Sequence, residues 1–187
     1  MAKIKDARIL IISDNGFEQS ELEVPRDKLQ EAGAQVTLAT PDGQNIKGWE
    51  GKDWGREVTA NAMLENVEAR DFDALVIPGG QMNPDLLRVN AKAVALVKAF
   101  ASAGKPIAAI CHAPWLLVEA GLLKGRKATS YKSIRTDVIN AGADWQDREV
   151  VVDQGIITSR SPEDLPAFVA KIIEEIEEGR HDRHAAA

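Results

Sequence analysis

Lys105-Pro106-Ile107-Ala108-Ala109-Ile110-Cys111-His112-Ala113-Pro114 joins a short apolar run to an apolar helical segment, and the chain's single cysteine sits at the join. Ile107 to Ile110 reads as a buried strand. Pro114-Trp115-Leu116-Leu117-Val118 opens a helical segment that runs to Gly121. A strand that turns sharply into a helix at one nucleophilic residue is a nucleophile elbow, and backbone crowding there calls for small residues two positions before and two after. Ala109 and Ala113 fill those positions. A thiol at such a turn meets a helix N-terminus, whose dipole and free N–H groups favour thiolate. A buried cysteine that packs as a small hydrophobe fits the same local pattern.

Around this stretch, strands and helices alternate. Arg8 to Ser13 and Gln35 to Thr40 read as strands, with a helix from about Pro25 to Ala32 between them, stopped by Gly33. Asn45 to Thr59 carries Gly48, Gly51 and Gly55 with Trp49 and Trp54, a composition for a hairpin-like excursion. Ala74 to Pro78 is a strand ending in Gly79-Gly80. Asn90 caps a helix over Ala91 to Ser102, with Gly104 just beyond it. Ala128 to Ser130, Val150 to Val152 and Ile156 to Ser159 read as later strands. The final helix has Ser161 as cap, Pro162 at its first position and a stripe of Leu165, Phe168, Val169, Ile172, Ile173 and Ile176. Alternation of this kind implies an α/β fold, a largely parallel sheet covered on both faces. Ligands in such folds bind beyond the carboxyl ends of the strands. Three strand ends then share one rim: Ser13 to Glu18, Pro78 to Met82, and Cys111-His112.

The 187 residues predict a single domain, with a core from about residue 7 to residue 178 and a loose tail over residues 179–187. One cysteine excludes an internal disulfide framework and fits a reducing compartment. The apolar run Ile9 to Ile12 is too short for a signal or a membrane span, so a cytoplasmic protein without membrane attachment is expected. The net charge of −6 argues against direct nucleic-acid binding. The histidines are His112, His181 and His184, and no cluster has metal-ligand spacing, so neither a metal nor another cofactor is expected.

The rim offers three helpers for the thiol. Glu18, if kept protonated by a neighbouring sulfur anion, would donate to it and stabilise it, although a solvated loop glutamate reads the same. Gly79 and Gly80 would let backbone approach a substrate, with N–H groups serving an oxyanion hole beside the N–H after Cys111; a plain tight turn has the same sequence. His112 adjoins the cysteine and is the one histidine placed to act as its base. Tyr131 either lines this rim or packs at the surface.

Val76-Ile77-Pro78-Gly79-Gly80 and Gly104 to Pro114 resemble the PfpI family, the intracellular protease-like proteins of the class I glutamine amidotransferase-like superfamily. Phe17-Glu18-Gln19-Ser20-Glu21, Gly125 to Tyr131, Asp137 to Ala143, Val150 to Asp153, Thr158-Ser159-Arg160 and Pro162 to Leu165 match as well, so the resemblance runs from about Ala7 to Ile176. It implies a flavodoxin-like three-layer sandwich with Cys111 as nucleophile, Glu18 as the buried acid on its sulfur and His112 as base. It also implies a carboxylate from a neighbouring subunit, at Asp85 where the family usually has Glu, and hence a homodimer or larger homo-oligomer. The implied activity is a cysteine-dependent, stress-protective hydrolase acting on glyoxal or methylglyoxal adducts of proteins or nucleotides, or on small carbonyl compounds themselves, as a deglycase or glyoxalase-like enzyme. The alternatives are an intracellular cysteine peptidase and a non-enzymatic redox sensor or stress-protective binding protein built on an oxidisable Cys111.

Overall fold

The structure, a computed structural model, describes residues 3–179. The expected tail histidines, His181 and His184, lie outside the described residues. In chain order the elements are β1 (Arg8–Ile12), α1 (Gln19–Glu31), β2 (Gln35–Thr40), β3 (Ile46–Glu50), β4 (Asp53–Val58), β5 (Ala62–Met63), β6 (Ala74–Ile77), α2 (Met82–Arg88), α3 (Ala91–Ser102), β7 (Ile107–Ile110), α4 (Pro114–Glu119), β8 (Lys127–Ala128), α5 (Arg135–Asn140), β9 (Asp144–Trp145), β10 (Val150–Asp153), β11 (Ile156–Ser159) and α6 (Leu165–Glu178). Short 3₁₀ turns fill several connections, including Lys132–Ile134 and Pro162–Asp164.

Seven strands form the central sheet in the order β10-β11-β7-β6-β1-β2-β5. The pairings from β11 through β5 are parallel, and only the edge pair β10–β11 is antiparallel. The expected mostly parallel sheet flanked by helices is therefore the observed architecture. Its central strands are apolar on both faces because both faces are covered. Leu10, Ile12, Leu75 and Ile77 face one core layer with α3 and α4, while Ile9, Ile11, Val76 and Ile110 face the other with α1 and α6. In α6, Leu165, Phe168, Ile172 and Ile176 are buried as the apolar stripe requires. Each such side chain contributes about 1.5–3 kcal/mol by leaving water.

Three local readings change. The helix expected from Pro25 begins six residues earlier, at Gln19, and Pro25 lies inside it. Proline marks a helix start because it lacks an N–H, but here the Glu18 side chain already caps the end by accepting from the Ser20 N–H. The strand expected over Ala128 to Ser130 shrinks to Lys127–Ala128 and pairs with β9 outside the main sheet. Ser161 makes no side-chain cap, and a 3₁₀ turn precedes α6.

The hairpin β3–β4 is fastened to the start of α1. The Trp49 N–H donates to the Phe17 carbonyl at 2.6 Å, and Gln19 Oε1 accepts from the Arg56 N–H at 2.8 Å. The buried Gln19 amide lies where side chains at Gly48 or Gly55 would stand.

At the end of β7 the chain turns as the elbow requires. Cys111 has φ 65°, and Gln154 is the other non-glycine with positive φ among the described residues. This left-handed conformation costs a residue with a Cβ about 1–2 kcal/mol. Sheet pairing on both sides of β7, together with the bond from the Cys111 N–H to the Ser159 carbonyl at 3.0 Å, holds it there. Cys111→Gly is expected to be more stable than Cys111→Ala by about 1 kcal/mol. For a chain this size that is about 2–4 °C in Tm by calorimetry. A more stable alanine variant would show that the turn carries no such strain.

Candidate functional site

Cys111 lies at the carboxyl end of β7, flanked by the loops after β1 and β6. It is a free thiol and only 6% exposed. Its surroundings follow from three local structures.

The first is the N-terminal turn of α1. Because the helix begins at Gln19, Glu21 falls on the inward side with Leu22, Pro25 and Leu29. Glu21 is fully buried, and its Oε2 accepts from the Gly79 N–H at 2.9 Å. The carboxyl interacts with the Cys111 thiol, and its Oε1 has no hydrogen-bond partner in the observed geometry. Burial first, and the Glu18 charge second, push the Glu21 carboxyl up to about 8. It is therefore a protonated acid at neutral pH. The role expected of Glu18 falls geometrically to Glu21, three residues on. Glu18 instead caps α1, with its Oε1 2.9 Å from Ser20 Oγ. The misplacement traces to the helix start: with α1 begun at Pro25, Glu21 reads as loop. The buried spacing of Leu22, Pro25 and Leu29 was the available signal that an inward-facing helix already runs through Glu21.

The second is the Gly79-Gly80 loop after β6. Gly79 lies against both the acid and the thiol: an added Cβ would sit 2.6 Å from the Cys111 Cβ and strike Glu21 Oε2. Its N–H is committed to Glu21, so the oxyanion role expected of it has no free donor. The Gly80 N–H lies between the Glu21 carboxyl and the sulfur and interacts with both, and the His112 N–H joins it at the sulfur. Gly80 has φ 79° and passes too close to the Gly16–Phe17 backbone to bear a side chain. Asn83 closes the loop, its Nδ2 donating to the Pro78 carbonyl at 2.8 Å.

The third is the segment after Cys111. His112 Nδ1 lies 3.2 Å from Sγ, a contact that sequence neighbours need not make. The His112 ring stacks on Tyr131 with centroids 5.0 Å apart and meets Trp115 edge-on at 5.3 Å. Tyr131 thus lines the rim, tied by its N–H to the Cys111 carbonyl at 2.8 Å. The far nitrogen, Nε2, faces Ser133 Oγ at 3.1 Å. Burial lowers the His112 pKa, which leaves the ring neutral and able to accept a proton at pH 7. Asp85, in the first turn of α2, is exposed, and among the described residues no hydrogen bond or ion pair joins it to His112.

The thiol is not lowered as the helix-start argument expects. Burial, and then any charge on Glu21, push Cys111 above its ordinary value. The helix that should help begins only at Pro114 and spans six residues, so its dipole is distant and small. The acid and the thiol share a site that tolerates one negative charge, so they titrate as a pair. A cleft of about 290 Å³ opens beside Tyr131, with Ser130, Trp145 and Arg160 in its wall. Neither this cleft nor the larger ones, of about 470 Å³ beside α3 and about 460 Å³ between α1 and β4, has Cys111 or His112 in its wall; the first adjoins the thiol only through Tyr131. No helix of the described residues is long and apolar enough to cross a membrane.

The sequence profile of the DJ-1/PfpI family matches residues 7–175. The chain belongs to this family. It is 44% identical over 166 residues to deglycase TK1284 of Thermococcus kodakarensis, covering 89% of this chain and 97% of that relative. It is 47% identical over 163 residues to general stress protein 18 of Bacillus subtilis, covering 86% of this chain and 92% of that one. A crystal structure from Anabaena variabilis with DJ-1/ThiJ/PfpI-like and ferritin-like domains superposes with a TM-score of 0.87 at 36% identity. That match covers 92% of this DJ-1/PfpI chain and 48% of the two-domain chain.

The raised carboxyl gives this site a pH signature. The folded state keeps the Glu21 proton above 4.5, where the unfolded chain releases it, so stability falls as pH rises from about 4.5 to about 8. The slope from this group is at most about 1.4 kcal/mol per pH unit. Glu21→Gln lacks this slope, so urea melts at pH 5, 6.5 and 8 should show the variant gaining on the wild type. Parallel curves would show that Glu21 ionises normally. Glu18→Ala should cost about 1 kcal/mol of helix capping and make the pH dependence shallower, since the Glu18 charge helps to raise Glu21.

Proposed function

We propose that this protein is a cysteine-dependent hydrolase of α-oxoaldehyde adducts, a deglycase or glyoxalase-like enzyme, with Cys111 as nucleophile. The observation that carries this reading is the thiol's setting: a left-handed turn places Sγ 3.2 Å from the neutral His112 Nδ1, beside a protonated carboxyl and under the N–H groups of Gly80 and His112. The deglycase names of relatives agree with it.

The substrate is an amine or thiol carrying a methylglyoxal-type carbon. Sγ bonds to the aldehyde-derived carbon while the S–H proton passes to His112 Nδ1, so charge separation is brief and a raised thiol pKa is tolerated. The carrier amine or thiol leaves with a proton from His112. The Gly80 and His112 N–H groups hold the substrate oxygen. A proton removed from that carbon and returned to the adjacent carbonyl carbon turns the adduct into a thioester of a hydroxy acid. The oxidation is internal, and no external oxidant is used. Water then releases the hydroxy acid and restores the thiol. Glu21 and His112 are the groups that move these protons. The cleft beside Tyr131 has room for part of the carrier.

Asp85 shares the exposed surface of α2 with Met82, Leu86 and Val89. We place a second copy of the chain there, so that a homo-oligomer forms, and a reducing cytoplasm suits the free thiol.

Lactate release from methylglyoxal-treated N-acetyllysine and N-acetylcysteine tests the activity. Cys111→Ser and His112→Ala should each lower it at least about 100-fold. Turnover that survives Cys111→Ser would overturn the nucleophile. A wild type that releases no lactate but cleaves peptides would favour a peptidase, and one that only oxidises would favour a redox sensor. Sedimentation of the wild type as a monomer with full activity would remove any role for a second copy.

A further inference from the structure

We infer that Ser133 is the residue that positions His112, accepting a hydrogen bond from Nε2 and so completing a Glu21–Cys111–His112–Ser133 relay within one chain. This deepens the proposed reading of the site and rests on it. His112 has two ring nitrogens, and both have partners in the same chain: Sγ at 3.2 Å on Nδ1 and Ser133 Oγ at 3.1 Å on Nε2. A carboxylate from a second copy, Asp85 included, would have to displace the serine to reach the ring.

Proton bookkeeping fixes the direction of each bond. Nδ1 can take the thiol proton only if it is bare, so a neutral His112 carries its proton on Nε2 and donates it to Ser133 Oγ. Once the thiol proton has moved, the imidazolium carries protons on both nitrogens, and Nε2 still donates to Ser133. The serine is an acceptor on both sides of the transfer and need not rotate. In the opposite tautomer Ser133 would donate to Nε2 while an N–H on Nδ1 faced the thiol, and no transfer could follow. The Ser133 hydroxyl proton is left for solvent, since the residue is exposed. A line of hydrogen-bonding groups thus runs from the buried Glu21 carboxyl through Sγ and the imidazole to water.

The backbone holds Ser133 where this requires. The Tyr131 N–H binds the Cys111 carbonyl, and the turn Lys132–Ile134 follows at once, closed by the Ile134 N–H on the Tyr131 carbonyl at 3.1 Å. Trp145 Nε1 donates to Ser130 Oγ at 3.0 Å on one side, and Ile134 is buried on the other. A hydroxyl differs from a carboxylate in one consequence. It aligns the ring without adding a negative charge, so nothing offsets the effect of burial on the imidazole.

The variants Ser133→Ala, Ser133→Thr and Ser133→Asp separate positioning from folding, because Tyr131 and Trp115 still clamp the ring. ¹⁵N NMR of labelled His112 and the rate of Cys111 alkylation by iodoacetamide read the relay without any substrate. Failure of the hydrolase reading therefore leaves this test intact. The wild type should show the proton on Nε2. Ser133→Ala should mix the tautomers and slow alkylation at pH 7 about tenfold. Ser133→Thr should restore both, and Ser133→Asp should raise the His112 pKa. A wild-type proton on Nδ1, or alkylation unchanged in Ser133→Ala, would overturn the inference. So would a tautomer that responds to Asp85→Ala and not to Ser133→Ala.

Discussion

A left-handed backbone at one residue with a Cβ organises this molecule. The parallel sheet is the device that enforces it. β7 lies between β6 and β11, so its direction is fixed from both sides, and the chain must leave its carboxyl end abruptly to begin α4. The turn lifts Cys111 out of the strand and brings its amide to the Ser159 carbonyl. The loops from β1 and β6 then have one place to go, against the thiol. Gly80 abuts the backbone of Gly16 and Phe17 because both loops crowd the same point.

Crowding also sets the electrostatics. A carboxyl and a thiol placed together without water can carry one negative charge at little cost and a second only at great cost. The proton therefore stays with the pair, and neither group behaves as it would alone. This differs from the picture in which a helix dipole generates a free thiolate. Here the helix is short and late, and the proton acceptor is the neighbouring imidazole. The site is better described by where its protons rest than by a single lowered pKa.

Much of this was legible in the sequence. Alternating apolar runs and helix caps imply the mostly parallel sheet covered on both faces, and the small residues around Cys111 mark the elbow, while the strand order and the short helices α2 and α5 carry no such pattern. Gly79-Gly80 reads as a rim loop from the strand before it, and what the pattern does not show is that its N–H groups face the Glu21 carboxyl. Proline's preference for a helix start is a statistical trend that the Glu18 cap overrides, and a helix begun at Pro25 leaves Glu18 as the apparent inward acid, one turn before Glu21. Ser133 left no signal at all. It comes 22 residues after Cys111 and meets His112 only because the Tyr131 amide binds the Cys111 carbonyl. Local pattern locates a nucleophile, while its partners are fixed by hydrogen bonds between segments distant in sequence.

The Gln19 side chain wedged against Gly48 and Gly55 has a bearing on how this protein can drift. Gln19 and Glu21 belong to the same helical turn, one facing the hairpin and the other the thiol. A methyl group at either glycine would push on Gln19, and a rigid turn transmits that push to the carboxyl two residues away. Positions that look like decoration on a surface ribbon are thereby tied to the reactive sulfur. Selection for chemistry at residue 111 reaches out to 48 and 55.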